Sequence, residues 1–252
     1  MINYTLECCV ESVESAIAAM EGGAGRLELC SGLSGGGITP GLNLYRQVDS
    51  FCHLPVHVLI RPRFGDFCYT RHERAIIKAD VCTFAQEGAH GVVIGALTPD
   101  GRLDMPFLRE LVACAEGASI TLHRAFDMCA DPFEALEQAI ELGITTILTS
   151  GQRSTATEGA PLIAQLHRAA AGRIAIMAGS GVSSKNVEAL AGATGVTAFH
   201  LSAKAPLESA MTFRRSGLCM GSSATDEYTL WRTDSREVSA VDHILKKLPD
   251  LQ

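Results

Sequence analysis

A strand followed by a helix, repeated eight times at intervals of about 30 residues, is the feature that most narrows the folds open to this chain. Short β-rich runs begin near Tyr4, Arg26, Val56, Gly91, Ser119, Ile144, Arg173 and Thr197. Between them lie apolar residues at helical spacing, such as Val13-Ile17-Met20, Leu108-Leu111-Val112, Phe133-Leu136-Ile140 and Val187-Leu190. Parallel strands need long crossovers, and eight near-even units favour closure into a ring over the open doubly wound sheet. The expectation is an α/β protein, a (β/α)8 TIM barrel, with residues 1–252 forming a single domain. A length of 252 residues suits one such barrel.

Turn chemistry supports the same division. Asp131-Pro132, with Glu134 two residues on, reads as an N-cap and first turn, and Thr39-Pro40 offers a similar start. Ser183 or Ser184 is the expected cap of the helix through Leu190, and Gly22-Gly23, Gly88 and Gly143 suit helix C-termini. Between Met211 and Thr233 the pattern is hard to assign; Arg214-Arg215 and Asp226-Glu227 are candidates for closing over the barrel mouth or for subunit contact.

Composition excludes several functions. With 21 Lys+Arg against 28 Asp+Glu the chain is acidic and has no basic stripe, so nucleic acid is not an expected partner. No run is long and apolar enough to span a bilayer, and no Lys or Arg precedes Arg26 to flank a signal peptide. A cytoplasmic location is the expectation. Nine cysteines, an odd number with no CxxC pair, argue against a disulfide framework or zinc ribbon; most should be reduced and buried.

Side chains alternate across a strand, so each strand has an inward file. With Leu27, Leu29, Val56, Val58, Ile120 and Leu122 facing the helices, the inward files hold Arg26, Glu28, Cys30, His57, Leu59, Arg61, Arg63, Thr121, His123 and Asp127. Glu7 and Cys9 join them from the first strand, His200 and Ser202 from the eighth. Barrel interiors ordinarily hold Val, Ile and Leu, whereas this one reads as a charged network, and buried ions must be paired. Glu7 and Arg26 fit an internal ion pair at least as well as a functional role. Residues at the C-terminal strand ends, where barrel active sites form, are the better functional candidates.

Three chemistries fit that mouth. Acid–base work would use His123, near a neutral pKa, with Glu28 or Asp127 as partner and Arg61 to hold an anionic group; Glu7 and His200 complete the candidate catalytic set. Phosphate binding would use Gly179, Ser180, Gly181 and Val182 after the seventh strand, with Lys204 after the eighth; a plain tight turn explains the glycines equally well. Copper, a soft metal, would draw on Cys30, Cys9, His123, Met128, Cys129 and His200, although Arg61, Arg63 and Arg124 oppose a cation there. From residue types alone a small anionic molecule is the favoured partner.

The segments LELCSGLSGGGITP (27–40), IRPRFGDFCY (60–69), IGALTPDGRLD (94–104), LHRAFDMCADP (122–132), ILTSGQ (147–152) and IMAGSGV (176–182) closely resemble the CutC family, named for copper homeostasis. The resemblance runs from about Tyr4 to the last helix. It implies a cytoplasmic barrel, often a homodimer, that binds copper, here as Cu(I), with no organic cofactor. Cys30 matches the LELC cysteine; His123, Asp127 and Cys129 match HRAFDMC; Arg61 and Asp66 match RPRxGDFCY; His200 and Ser202 match the family's FHxSA segment. The resemblance thus implies Cys30, His123 and Cys129 as metal ligands. Lys204 stands where an arginine is common, which removes a bidentate anion contact.

Overall fold

In a computed structural model, residues 4–218, 220 and 227–248 are described. Eight parallel strands close into a barrel in sequence order: β1 (Thr5–Val10), β2 (Arg26–Leu29), β3 (Val56–Leu59), β4 (Gly91–Ile94), β5 (Ser119–Leu122), β6 (Thr146–Thr149), β7 (Ala175–Ala178) and β8 (Ala198–Leu201). Around them lie α1 (Val13–Glu21), α2 (Leu42–Phe51), α3 (Arg71–Gln86), α4 (Met105–Cys114), α5 (Pro132–Glu141), α6 (Ala160–Ala170), α7 (Val187–Thr194) and α8 (Ser235–Lys247). The (β/α)8 barrel expected from the spacing is the fold, and β1 pairs with β8 to close it.

Strand alternation falls as the sequence pattern predicts. Leu27, Leu29, Val56, Val58, Ile120 and Leu122 are buried in the layer between strands and helices, which forms the main apolar core. The interior is less completely charged than expected. Cys30, Leu59 and Val93 form one small apolar cluster apart from the main core, and Leu148, Met177 and Ala198 form another. The polar network is concentrated on β1, β2 and β8, where register dictates it: Glu7 lies opposite Arg26 on one side and His200 on the other, and Cys9 lies opposite Glu28.

Of the three helix starts read from the sequence, the one at Asp131 holds and the other two do not. Asp131 accepts the Phe133 and Glu134 amides at the head of α5, as its position before Pro132 predicts. Thr39 does not cap α2, which starts after Gly41; its Oγ1 instead accepts the Arg61 amide at 2.9 Å and ties the loop after β2 to β3. Ser183 and Ser184 do not cap α7, whose N-cap is Asn186; the Ser184 amide and hydroxyl donate to Glu237 of α8. After β8 the chain forms an antiparallel hairpin, β9 (Lys204–Glu208) with β10 (Thr229–Thr233), that packs against α1 beside the barrel mouth. Arg214 pairs with Glu208 and stacks on Tyr228, so it braces the hairpin. Neither Arg214 nor Arg215 lines the mouth, and Asp226 lies outside the described residues, as does Cys219.

Candidate functional site

A cavity of about 310 Å³ opens at the C-terminal ends of the strands. Its polar lining includes Cys9, Glu28, Arg61, His123, His200 and Lys204, and Leu59, Phe67 and Leu148 supply apolar wall. Ser180, Gly181 and Val182 line it from the loop after β7.

The floor is built on Glu7, which is fully buried. Its carboxylate accepts from Arg26 Nε at 2.5 Å and from His200 Nδ1 at 2.7 Å. Burial alone would raise Glu7, but the His200 hydrogen bond and the Arg26 charge overcome it and hold the carboxyl at about 2. Because an ionised carboxylate only accepts, His200 donates through Nδ1, leaving Nε2 to face Glu28 Oε2 at 3.8 Å. Burial works against a charge on His200, yet the Cys9 sulfur and the carboxyls of Glu28 and Glu7 raise its pKa well above the ordinary value. Glu28 moves the other way: burial, with Glu7 nearby, lifts it to about 7 against the pull of His200 and Arg26.

Cys9, Glu28 and His200 each offer one ligand atom, and these atoms lie within 4.8 Å of one another. Among the described residues this is the group of three His, Cys, Asp or Glu side chains close enough to share a metal ion. The three residues assigned as ligands from the sequence are not brought together in such a group. Cys30 is wholly buried, with its thiol donating to the Val10 carbonyl at 3.6 Å, and burial pushes its pKa far up. Cys129 does not line the cavity; Gln152 Nε2 donates to its carbonyl at 2.8 Å and to its sulfur at 3.4 Å. Met128 is exposed and away from the lining. Cys9 could be found from the sequence by the period-two file it shares with Glu7, and the pairing of β1 with β8 is what sets it beside His200.

His123 does line the cavity, but not as the near-neutral base expected. Its Nδ1 accepts the Ala125 amide at 3.1 Å, so the neutral ring carries its proton on Nε2. Burial and the Arg61 charge push its pKa down to about 3. It is therefore a neutral N–H donor, and Nε2 has no protein partner among the described residues. Phe67 packs on the ring at 4.8 Å between centroids.

Arg61 is buried and stacks on Phe67, with Nη1 donating to the Gly36 and Gly37 carbonyls and Nη2 to Gly65. Arg63 points elsewhere: it pairs with Glu73 and Asp66 and braces its own loop. Asp127 is likewise outside the cavity. Its carboxylate accepts from Thr149 Oγ1, the Ser150 and Gln152 amides, Ser150 Oγ and Arg124 Nε at 2.5 to 3.1 Å. That saturation makes Asp127 the clamp of the loop after β6, with no lone pair left for acid–base work. Gly179 also stands outside the lining. Its amide donates to Thr149, and a Cβ there would come within 2.5 Å of Leu148 Cδ1.

Comparison with known proteins agrees with this fold. Residues 4–205 match the CutC family. The mouse protein called copper homeostasis protein cutC homolog is 46% identical over 96% of this chain and 90% of its own length. The human protein of the same name is 44% identical over 97% of this chain and 90% of its own. Among solved structures, a CutC protein of Streptococcus agalactiae superposes with a TM-score of 0.76 at 29% identity, covering 79% of this chain and 99% of that one. A phosphoribosylanthranilate isomerase from Pyrococcus furiosus, at 12% identity and a TM-score of 0.57 over 98% and 100% of the two chains, shares the barrel alone. No helix is long and apolar enough to cross a membrane among the described residues.

Proposed function

The chain belongs to the CutC family, and from that premise we propose that it serves copper homeostasis by binding Cu(I) at the barrel mouth through Cys9 and His200. The observation that carries this reading is the convergence of Cys9, Glu28 and His200 in one buried cluster. Cu(I) is soft and prefers a thiolate and an imidazole, which Cys9 and His200 supply, while Glu28 is the harder oxygen at the third corner. Glu7 fixes the ring of His200 through Nδ1 and so directs Nε2 toward the cluster, the arrangement by which an outer carboxylate orients a metal-binding histidine.

Proton release balances the charge. A thiol and an imidazolium each give up a proton to become ligands, so one Cu(I) entering Cys9 and His200 leaves the cavity no more positive than before. This answers the objection that Arg61 and Arg124 stand in the same mouth. We place the protein in the cytoplasm, whose reducing conditions keep Cys9 a thiol. Competition against a Cu(I) chelator tests the reading: Cys9→Ser is expected to weaken Cu(I) binding about 100-fold, and Cys129→Ser to leave it unchanged. Equal affinity in Cys9→Ser would contradict it.

A further inference from the structure

The cationic half of the cavity is not explained by copper. Arg61 is a buried cation whose Nη atoms donate to backbone carbonyls, with the Tyr69 hydroxyl as its side-chain neighbour, and it makes no ion pair with a carboxylate among the described residues. Its Nε and the Nε2 of His123 are buried donors without acceptors among those residues. Two unsatisfied donors in one cavity wall, one of them on an uncompensated charge, are costly unless a ligand supplies oxygen and negative charge.

A second set of donors lies on the loop after β7. The backbone N–H groups of Ser180, Gly181 and Val182 find no acceptor among the described residues, and all three residues line the cavity. The chain holds positive φ at Ser180 (79°) and Gly181 (76°), the first of which costs a non-glycine residue conformational energy. Lys204 lines the same cavity, rests over the Trp231 ring at 5.4 Å and makes no ion pair among the described residues. Consecutive free amides with a lysine are suited to a phosphate group, and loops after the seventh and eighth strands of such barrels commonly serve that purpose.

We infer that the mouth binds a small organic phosphate monoester bearing a second oxygen function: the phosphate sits on the Ser180–Val182 amides and Lys204, and the far oxygen accepts from His123 Nε2 beside Arg61. A cavity of about 310 Å³ limits the ligand to roughly the size of a sugar monophosphate. The ring of His123 polarises that oxygen as a neutral donor, since its Nδ1 is committed to the Ala125 amide. This site stands independently of copper, because its donors are not the Cys9, Glu28 and His200 cluster.

Calorimetric titration of reduced protein, with a Cu(I) chelator present throughout, separates this inference from the copper reading. The probes are 2-phosphoglycolate, which carries a phosphate and a carboxylate, inorganic phosphate and glycolate. One 2-phosphoglycolate is expected per chain, bound about ten-fold or more tightly than either single-ended probe. Lys204→Met, an exposed change that leaves the barrel core alone, is expected to weaken 2-phosphoglycolate about ten-fold. Nitrogen NMR of the wild-type His123 ring should show the Nε2–H tautomer and a shift of that resonance on adding 2-phosphoglycolate. The inference is overturned if 2-phosphoglycolate binds no better than inorganic phosphate, if Lys204→Met leaves its affinity unchanged, or if the His123 resonance does not move.

Discussion

His123 and His200 show how two histidines at one barrel mouth take opposite roles from their first hydrogen bond. His200 donates a hydrogen bond from Nδ1 to Glu7 and is held cationic among carboxyls, whereas His123 accepts a hydrogen bond at Nδ1 from a backbone amide and is held neutral beside Arg61. Residue type alone could not separate them. The difference lies in whether the nearest partner is a carboxylate or an amide, which only the folded chain supplies. Glu7→Gln tests the positioning role. The amide cannot neutralise Arg26 and His200 together, so stability should fall by about 3 kcal/mol or more, measured by urea unfolding. Cu(I) affinity should drop about 10- to 100-fold in the same variant, whereas a purely structural Glu7 would leave affinity intact in whatever fraction stays folded.

Among the elements, loops at the strand ends carry what sequence patterns leave open. Strand alternation is legible in the sequence because period two is strict: it alone directs Glu7, Cys9, Glu28 and His200 inward, and the barrel holds all four there. Past the last strand residue that rule lapses. Asp127 lies in a 3-10 turn and Arg63 in a loop, so continuing the alternation through them sends both into a cavity that neither one lines. Cys30, one residue beyond β2, keeps its inward direction but is buried in a small apolar cluster with Leu59 and Val93, outside the cavity lining. The Thr39 cap fails for a related reason, since a hydroxyl in a loop beside a strand end has a competing amide at Arg61. Asp127→Ala should unfold at lower urea concentration, by about 3 kcal/mol, because it strands the Ser150 and Gln152 amides and leaves Arg124 unpaired. It should not alter Cu(I) affinity, and a parallel loss of copper would return Asp127 to the site.

At the scale of the whole molecule, the buried groups of the barrel interior tie stability to pH. His57 at about 4 and His123 at about 3 stay neutral in the folded chain, while their unfolded forms gain a proton below 6.5. Glu28 works in the opposite sense, holding a proton up to about 7 that its unfolded form loses near 4.5. His200 is protonated in both states below 6.5 and contributes nothing there. In the window between 4.5 and 6.5 these four groups therefore bind about one more proton in the unfolded chain than in the folded one. Stability should rise with pH by about 1.4 kcal/mol per unit across it. Below 4.5 Glu7, held at about 2, adds to the loss and the slope steepens. His57→Gln should flatten the upper window; an unchanged slope in urea titrations at pH 4.5 to 6.5 would show that His57 titrates normally in the fold.

Copper binding at the converging Cys9 and His200 is most directly tested by a Cu(I) competition titration of fully reduced protein against a chelator of known affinity, with the urea-unfolded chain as the control for its nine thiols. One Cu(I) per folded chain, held well above that control and lost in both Cys9→Ser and His200→Gln, is the predicted result. Binding no tighter than the unfolded control, or unaffected by either substitution, would contradict a copper site at the barrel mouth.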